Sequence, residues 1–492
     1  MVAGRNSIGS EAMTRSDVDV IVAGAGLSGL TTAFRLARQG LRVVVLEAAP
    51  RPGGAIGSRR REGVLYELGP NSGLDTTPLI DALLSDAGIR DERLDASAAA
   101  AKRYILRDGA LIALPTSPGA FLGTRLFSWR AKLALLREPF VARAPAEREE
   151  TVADFVRRRL GSEFLDYAIE PFVAGIYAGD PETLSVPAAF PRLAALERRY
   201  GSLIRGQILG ARERKRSADT AKNAASSFSF RDGMQTLTDA LSRALAVECG
   251  VQVAAVRREA GGFAVECERI SAGAKECFQR RARVVVLAVP AYAAARIVEP
   301  VDAGAARALE AIDYPPVAVV ASAYRRGDVA HPLDGFGFLA PKKESPPVLG
   351  SLFSSTMFAN RAPEGTVLLT TFVGGQRSPE LARAPEEEIA TTVQLALARY
   401  VGAATPLWSV VTRWPRAIPQ YTLGHRERIA AVERAEAAAP GLYFCANWRG
   451  GVSIGDCIKS GHAMAERIGR ELGAPAPAGS TRSSSIAAAA PL

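Results

Sequence analysis

Histidine is nearly absent from this chain of 492 residues, and cysteine is sparse. The three histidines, His331, His425 and His462, include no pair at helical ligand spacing, so a histidine-based metal site is not expected. The five cysteines, Cys249, Cys267, Cys277, Cys445 and Cys457, are odd in number and form no CxxC pair. That argues against a disulfide framework and a zinc site, and it fits a reducing compartment. Apolar runs are short: nowhere do the roughly 18 uninterrupted apolar residues of a spanning helix occur. Residues 1–16, where a signal peptide would lie, are interrupted by Arg5, Glu11 and Arg15, so export is not expected and a cytoplasmic location is. Acidic residues are in deficit, 51 against 61 Lys and Arg, for a formal charge of +10. This suits an anionic lipid surface or an acidic substrate. Nucleic acid is not expected as a partner, because the basic residues lie among Leu and Ala at helical spacing without a recognition motif.

What is present begins at Val18. VDVIVA at 18–23 is a β-branched run followed at once by Gly24, Ala25, Gly26, Leu27, Ser28 and Gly29, then by a helical pattern ending at Gly40. Each glycine has a mechanical reason: Gly24 permits a tight turn, Gly26 lets the backbone approach a pyrophosphate, and Gly29 allows close helix–strand packing. The helix start then offers free N–H groups to the diphosphate. A second strand at 41–46 ends in Glu47, where a carboxylate can accept hydrogen bonds from ribose hydroxyls. Two further glycine-bearing turns, at 51–54 and 69–72, could wrap the rest of a long cofactor, which favours FAD over NAD. Near the end, an apolar strand at 442–446 leads through 447–456 into a helix running to about Leu472, aiming a second helix start at the ligand. Only one dinucleotide fingerprint occurs, so electrons are expected to enter from an organic substrate rather than from NAD(P)H.

A chain this long is expected to form two or three lobes. Residues 1–16 and 474–492 read as disordered tails. At 228–234 a helix opens with Met234, Leu237, Leu241 and Leu245 on one face; Val251 and Val253 begin a strand, and 283–290 is a buried strand ended by proline. The nucleotide lobe is therefore discontinuous, with another lobe inserted. From 115 to 140, Phe121, Leu122, Leu126, Phe127, Trp129, Leu133, Leu135 and Leu136 alternate with Arg125, Arg130, Lys132 and Arg137, either an amphipathic membrane-facing stretch or a helix packed on its own domain. Residues 205–227 read as a charged loop.

Several strings in order resemble the protoporphyrinogen oxidase family, within the wider monoamine-oxidase-like flavoproteins. They are KRYI at 102–105, EPFVAG at 170–175 with Gly-Asp-Pro at 179–181, GSLFSS at 350–355, TTFVGG at 370–375 and GGVSIGD at 450–456. The likeness covers about residues 17–473. It implies an α/β (α+β overall) architecture: a Rossmann-type FAD-binding domain (17–90, 228–306 and 432–473), an inserted mixed-sheet substrate domain (91–112, 183–227 and 307–431) and a helical, membrane-facing domain (113–182). It implies a membrane-associated enzyme of haem synthesis that removes six hydrogens from a porphyrinogen in three flavin cycles. Each cycle would pass a hydride to the flavin, and dioxygen would be reduced to hydrogen peroxide. Implied FAD contacts are Gly24, Ala25, Gly26, Leu27, Ser28, Gly29, Glu47, Ala48, Gly69, Pro70, Asn71, Ser72, Val253, Trp414, Val452, Ser453 and Ile454. Ala55 departs from the pattern, since some relatives carry a bulky aromatic there.

For substrate, the resemblance points to Arg103 as the cation for a propionate, Phe372 stacking on one pyrrole ring, Leu339 and Leu352 sandwiching another, and the Gly175 carbonyl facing the macrocycle. A dianionic, largely apolar tetrapyrrole needs such a guanidinium within an aliphatic and aromatic slot. No acid–base residue is assigned; Asp456 is expected to cap a helix and His425 to order a loop. Partners implied are the tetrapyrrole, dioxygen, a membrane surface, a haem-pathway enzyme and a second copy of the chain. Coproporphyrinogen III oxidation, an amine oxidase or polyene desaturase, and a non-catalytic flavin-bearing scaffold stay open as alternatives.

Overall fold

The computed structural model describes residues 18–145, 148–210, 225–271 and 274–474. The expected tail 1–16, residues 475–492 of the other, and the charged stretch 211–224 lie outside the described residues. Val18–Ala23 forms the middle of a seven-stranded sheet. Val43–Glu47 pairs parallel on one side and carries Ala246–Cys249 beyond it. On the other side runs the end of the long strand Ala274–Leu287, also parallel, and then Leu442–Phe444. The start of that long strand pairs antiparallel with Gly262–Ser271, and this in turn with Val251–Glu259.

Side-chain alternation divides the central strands between two cores. Val20, Val22 and Val45 pack with the helices Leu27–Ala37 and Ile454–Glu471. Ile21, Ala23 and Leu46 pack with Ala291–Val298, Ala303–Glu310 and His425–Ala438. Burial on both faces is why these strands read as continuous β-branched runs rather than as alternating ones.

A second seven-stranded sheet has the order Trp408–Trp414, Val317–Arg325, Thr366–Gly374, Gly350–Leu352, Gly337–Leu339, Arg103–Arg107, Ala110–Ala113. Only the pairing of Gly337–Leu339 with Arg103–Arg107 is parallel. Helix Glu386–Val401 covers one face through Ile389, Val393 and Leu397, against Val320, Leu369 and Val373. A further core is helical and gathers Leu126, Phe155, Val156, Val173 and Tyr177.

Three boundaries differ from those expected. Helices Val186–Ala189, Pro191–Tyr200 and Leu203–Leu209 pack into the helical core, through Val186, Ala189, Ala194 and Leu203, rather than with the substrate sheet. Helix Ala303–Glu310 straddles the 306/307 division, and Leu309, Ile312 and Tyr314 lie in the nucleotide-side core. His425–Ala438 likewise crosses 431/432. Short amphipathic helices carry no signal of which neighbour they pack on, so these divisions were not legible. The stretch at 205–227 is not loop throughout: residues up to 209 are helical, and Ser227–Phe230 is a buried strand.

Candidate functional site

The glycine turn performs three separate steric tasks. Gly24 sits at φ +102°, and a Cβ there would lie 2.7 Å from the Ala288 carbonyl oxygen. A Cβ at Gly29 would strike the Gly24 carbonyl and lie 2.9 Å from Ala288 Cβ. At Gly26, by contrast, a Cβ would meet nothing within 4 Å. Protein therefore closes around two of the glycines and leaves the middle one open. Gly26 is the N-cap of helix Leu27–Ala37, with no side-chain cap bond and no acid in the first turn. Its N–H groups and positive dipole end are left for an anion.

Glu47 ends the second strand with one carboxylate oxygen accepting from Ala25 N (2.7 Å) and the other from Ala49 N (2.8 Å). Each oxygen keeps a lone pair for a hydroxyl donor. Arg51, for which the sequence carries no signal beyond its place in a glycine-bearing turn, donates to the carbonyls of Ile56 (2.7 Å), Pro52 (3.1 Å) and Gly54 (3.3 Å). Burial lowers its affinity for the proton, and among the described residues it has no carboxylate in ion-pair contact. A part-buried guanidinium without a paired acid suits a diphosphate. These residues fit a dinucleotide such as FAD.

The turn at 69–72 is fastened from behind. Trp414 Nε1 donates to Leu68 O at 2.8 Å, and a side chain at Gly69 would strike the Ala55 carbonyl. Arg361, 1% exposed, donates to Glu67 Oε1 (2.6 Å), Ser229 Oγ (2.6 Å) and Asn71 O (3.3 Å). It thereby joins the turn to two other strands.

The C-terminal loop is tied by an aromatic pair. Tyr421 OH donates to Asn447 O (2.7 Å) and accepts from Gly451 N (2.9 Å). His425 stacks on the Tyr421 ring at 4.2 Å, and its Nε2 lies 3.0 Å from Trp448 O. As a carbonyl only accepts, Nε2 carries the proton. Burial holds the His425 pKa down at about 4, so the ring stays neutral. It orders the loop, as expected. Asp456 does not itself occupy the cap position: Ser453 is the N-cap of Ile454–Glu471, and Asp456 completes a capping box as its third helical residue. Val452 and Ser453 are half-buried, and Ile454 is buried in the nucleotide-side core. Val253 is buried on the edge strand Val251–Glu259, next to an irregularity in register, and Ala48 follows Glu47 in the bend.

Four of the expected substrate residues share one face of the second sheet. Phe372 pairs with Gly350, Gly350 with Leu339 and Leu339 with Ile105. Two residues along, Thr370 pairs with Leu352, Leu352 with Gly337 and Gly337 with Arg103. Partners in register point the same way and alternate residues return to the same face, so Phe372, Leu339, Leu352 and Arg103 point together. Trp414, paired with Val317, stands on that face too. Gly350 and Gly337 add no side chain to it, and Leu339 leans over Gly350, its Cδ2 3.3 Å from where a Cβ would stand. Gly175 meets this wall from the helical core: a Cβ there would lie 2.8 Å from Leu339 Cδ2. Arg103 is exposed, its guanidinium carbon 5.3 Å from the Phe336 ring centre. Its neighbour Lys102 is neutralised by Asp334, which also accepts from Tyr104 OH at 2.6 Å. The Lys102 contact holds the Asp334 carboxyl down at about 2. Arg103 has no such acid partner among the described residues.

A nucleotide sheet with an open glycine cradle, joined to a half-covered sheet face, defines a flavin-binding oxidoreductase. Residues 27–469 match the family described as flavin containing amine oxidoreductase, and the chain belongs to it. Within that family it stands with the protoporphyrinogen oxidases. It is 33% identical to protoporphyrinogen oxidase 2, chloroplastic/mitochondrial, of Arabidopsis thaliana, over 91% of this chain and 93% of that one. Against the mitochondrial protoporphyrinogen oxidase of Nicotiana tabacum the figures are 34%, 91% and 94%. The coproporphyrinogen III oxidase of Bacillus subtilis (strain 168) is 28% identical over 90% of this chain and 96% of that one. In fold, the chain superposes on a crystal structure from Exiguobacterium sp. 255-15 with a TM-score of 0.77 at 23% identity, covering 93% of this chain and 99% of that one. The cofactor is FAD.

Proposed function

We propose that the chain oxidises a porphyrinogen to a porphyrin, with protoporphyrinogen IX as first substrate and dioxygen as acceptor. The observation that carries the reading is the face bearing Phe372, Leu339 and Leu352, with the unpaired Arg103 guanidinium at its edge. A flat apolar ring system lies against the aliphatic and aromatic side chains, and a propionate pairs with Arg103. FAD, held by Gly24, Ala25, Gly26, Leu27, Ser28, Gly29, Glu47 and Ala48, the 69–72 turn, Val253, Trp414 and Val452–Ile454, supplies two-electron acceptance. Gly26 and the helix start stabilise the diphosphate charge, and Arg51 adds a counter-charge. The Ser453 helix start offers N–H groups where negative charge develops. No side chain need act as a base, since hydride loss from a methylene bridge leaves a delocalised cation that releases a pyrrole N–H proton to solvent.

Anaerobic mixing with protoporphyrinogen IX should bleach the yellow chromophore, and admitting dioxygen should restore it with fluorescent porphyrin. A protein that carries flavin yet bleaches with no porphyrinogen would overturn the reading. Coproporphyrinogen III is the second substrate to test, because the Bacillus subtilis relative named for it spans nearly the same length. Turnover of the two side by side decides preference.

No described helix is long and apolar enough to cross a membrane. The helical core does expose Leu122, Trp129, Leu133, Leu136 and Phe140, the last 83% accessible. We infer peripheral attachment through this patch. Lys132, expected on the basic face, is instead buried, donating to Leu122 O (2.8 Å) and Thr124 O (2.7 Å). Flotation with anionic vesicles should be lost on substituting Leu136 and Phe140 by Glu; flotation that survives would remove the patch from the interface.

A further inference from the structure

The helix Glu170–Tyr177, which carries Gly175, is gripped at both ends by the chain that leaves the Phe372 strand. At its start, Arg377 Nη2 pairs with Glu170 Oε1 at 2.5 Å, both side chains about nine-tenths buried. Arg377 Nη1 donates to Ala340 O at 2.7 Å, and the second Glu170 oxygen accepts from Lys342 N at 2.9 Å. Ala340 directly follows Leu339. At the helix end, Gln376 N donates to Ala178 O at 2.8 Å. Midway between these two anchors, Gly175 meets Leu339.

Other contacts strap the same loop to the helical core: Lys343 to Asp166 (2.8 Å), Lys342 to Asp180 (3.5 Å) and Tyr167 OH to Glu344 (2.8 Å). The lysines are 59% exposed, so water screens those pairs. Glu170 and Arg377 are not screened, and removing one leaves a buried uncompensated charge. Just before Glu170 the chain makes a π-turn, Leu165–Ile169, a local distortion that aims the following helix.

We propose that Glu170 and Arg377 are a positioning pair that fixes the width of the substrate slot by setting Gly175 against Leu339. The inference rests on the porphyrinogen reading above and names what determines its fit. Neither residue touches substrate; they act through Leu339 and the helix. A slack slot receives the macrocycle loosely, so binding suffers before chemistry does.

The test uses the flavin-loaded full chain. Glu170→Gln keeps the volume and an acceptor for Lys342 N but removes the charge. It should raise KM for protoporphyrinogen IX roughly tenfold, the size of one lost charge-assisted contact, while kcat and the flavin absorbance change by less than about twofold. Arg377→Lys, which keeps the charge and loses the fork, should give a smaller rise. In a Leu339→Ala background, Glu170→Gln should add little, because the side chain it positions is gone. Full additivity, or a fall in kcat with KM unchanged, overturns the proposal. Should Glu170→Gln not fold, Arg377→Lys with and without Leu339→Ala gives the same decision. If the unsubstituted protein oxidises no porphyrinogen, the functional reading falls. Hydrogen exchange still judges the pair: Arg377→Lys should speed exchange across 170–178 and 340–349 only, and unchanged exchange there would sink it.

Discussion

The two halves of the site are built on opposite principles. In the nucleotide half, the diphosphate cradle is local: the open Gly26 lies between two glycines closed by protein, all within one turn. In the substrate half, Arg103, Gly175, Leu339, Leu352 and Phe372 come from five separate elements, and only strand register and helix docking unite them. Backbone shape makes the first half and long-range packing the second. Substitutions should therefore fail differently in the two, and that difference can be broken or sharpened.

The largest effect is expected at Gly29. Alanine there drives a methyl into the Gly24 carbonyl and Ala288, and because backbone cannot move aside, the apoprotein should lose more than about 4 kcal/mol. Gly26→Ala should leave apoprotein melting unchanged and weaken FAD binding about a hundredfold, ~2.7 kcal/mol. Thermal melts of apoprotein beside flavin titrations separate the two; equal damage from both would remove the distinction between a packing glycine and a cradle glycine. Next comes Arg361→Met, which strands buried Glu67 and frees the 69–72 turn. Breaking such a pair costs about 3–5 kcal/mol, readable by denaturant titration.

The asymmetry explains what could be read from sequence. Strand, glycine triplet, helix and Glu47 follow one another, so residue order alone discloses their geometry. Arg51 stands beside them in sequence, but its lack of an acid partner depends on how far the fold carries the carboxylate of Glu47 from it. For the second half, the family likeness names Arg103 and Phe372, yet KRYI and TTFVGG are by default a surface charge and a core strand. Their common face exists only through the register of Gly337–Leu339 and Gly350–Leu352, two three-residue strands too short to announce themselves. Tyr421, which binds both ends of the flavin-side loop, carries no signal in sequence at all.

Arg103→Ala tests the second half directly. Loss of a charge-assisted contact of about 1.5–3 kcal/mol should raise KM about ten- to 150-fold, without lowering the melting temperature, because Arg103 supports nothing but its own stacking on Phe336. Unchanged kinetics would take it out of the site.

His425 lies between the halves and offers a smaller, pH-dependent effect. Its folded pKa of about 4 is below the ordinary 6.5, so the unfolded chain binds a proton that the folded one refuses. Stability is complete above about pH 6.5, falls as pH drops, and is lower by about 2 kcal/mol at pH 5. Denaturation midpoints between pH 5 and 7 should flatten in His425→Gln; an unaltered slope would assign the acid sensitivity elsewhere.

The smallest effect concerns a left-handed residue that is not glycine. Gly24 takes φ +102° at no steric cost, whereas Ala178, ending the Gly175 helix, is held at φ +48°. An L side chain there pays about 1–2 kcal/mol of strain, and glycine returns about 0.5–1 kcal/mol of that as unfolded-chain entropy. The buried Ala178 methyl, lost in the substitution, takes back about 0.8 kcal/mol more, so Ala178→Gly should leave the melting temperature almost unchanged. KM should stay put, since Gln376 N still finds the same carbonyl. A rise in KM instead would mean that the Ala178 methyl, and not the hydrogen bond, seats the helix, shifting the anchor of the substrate half from backbone to side chain.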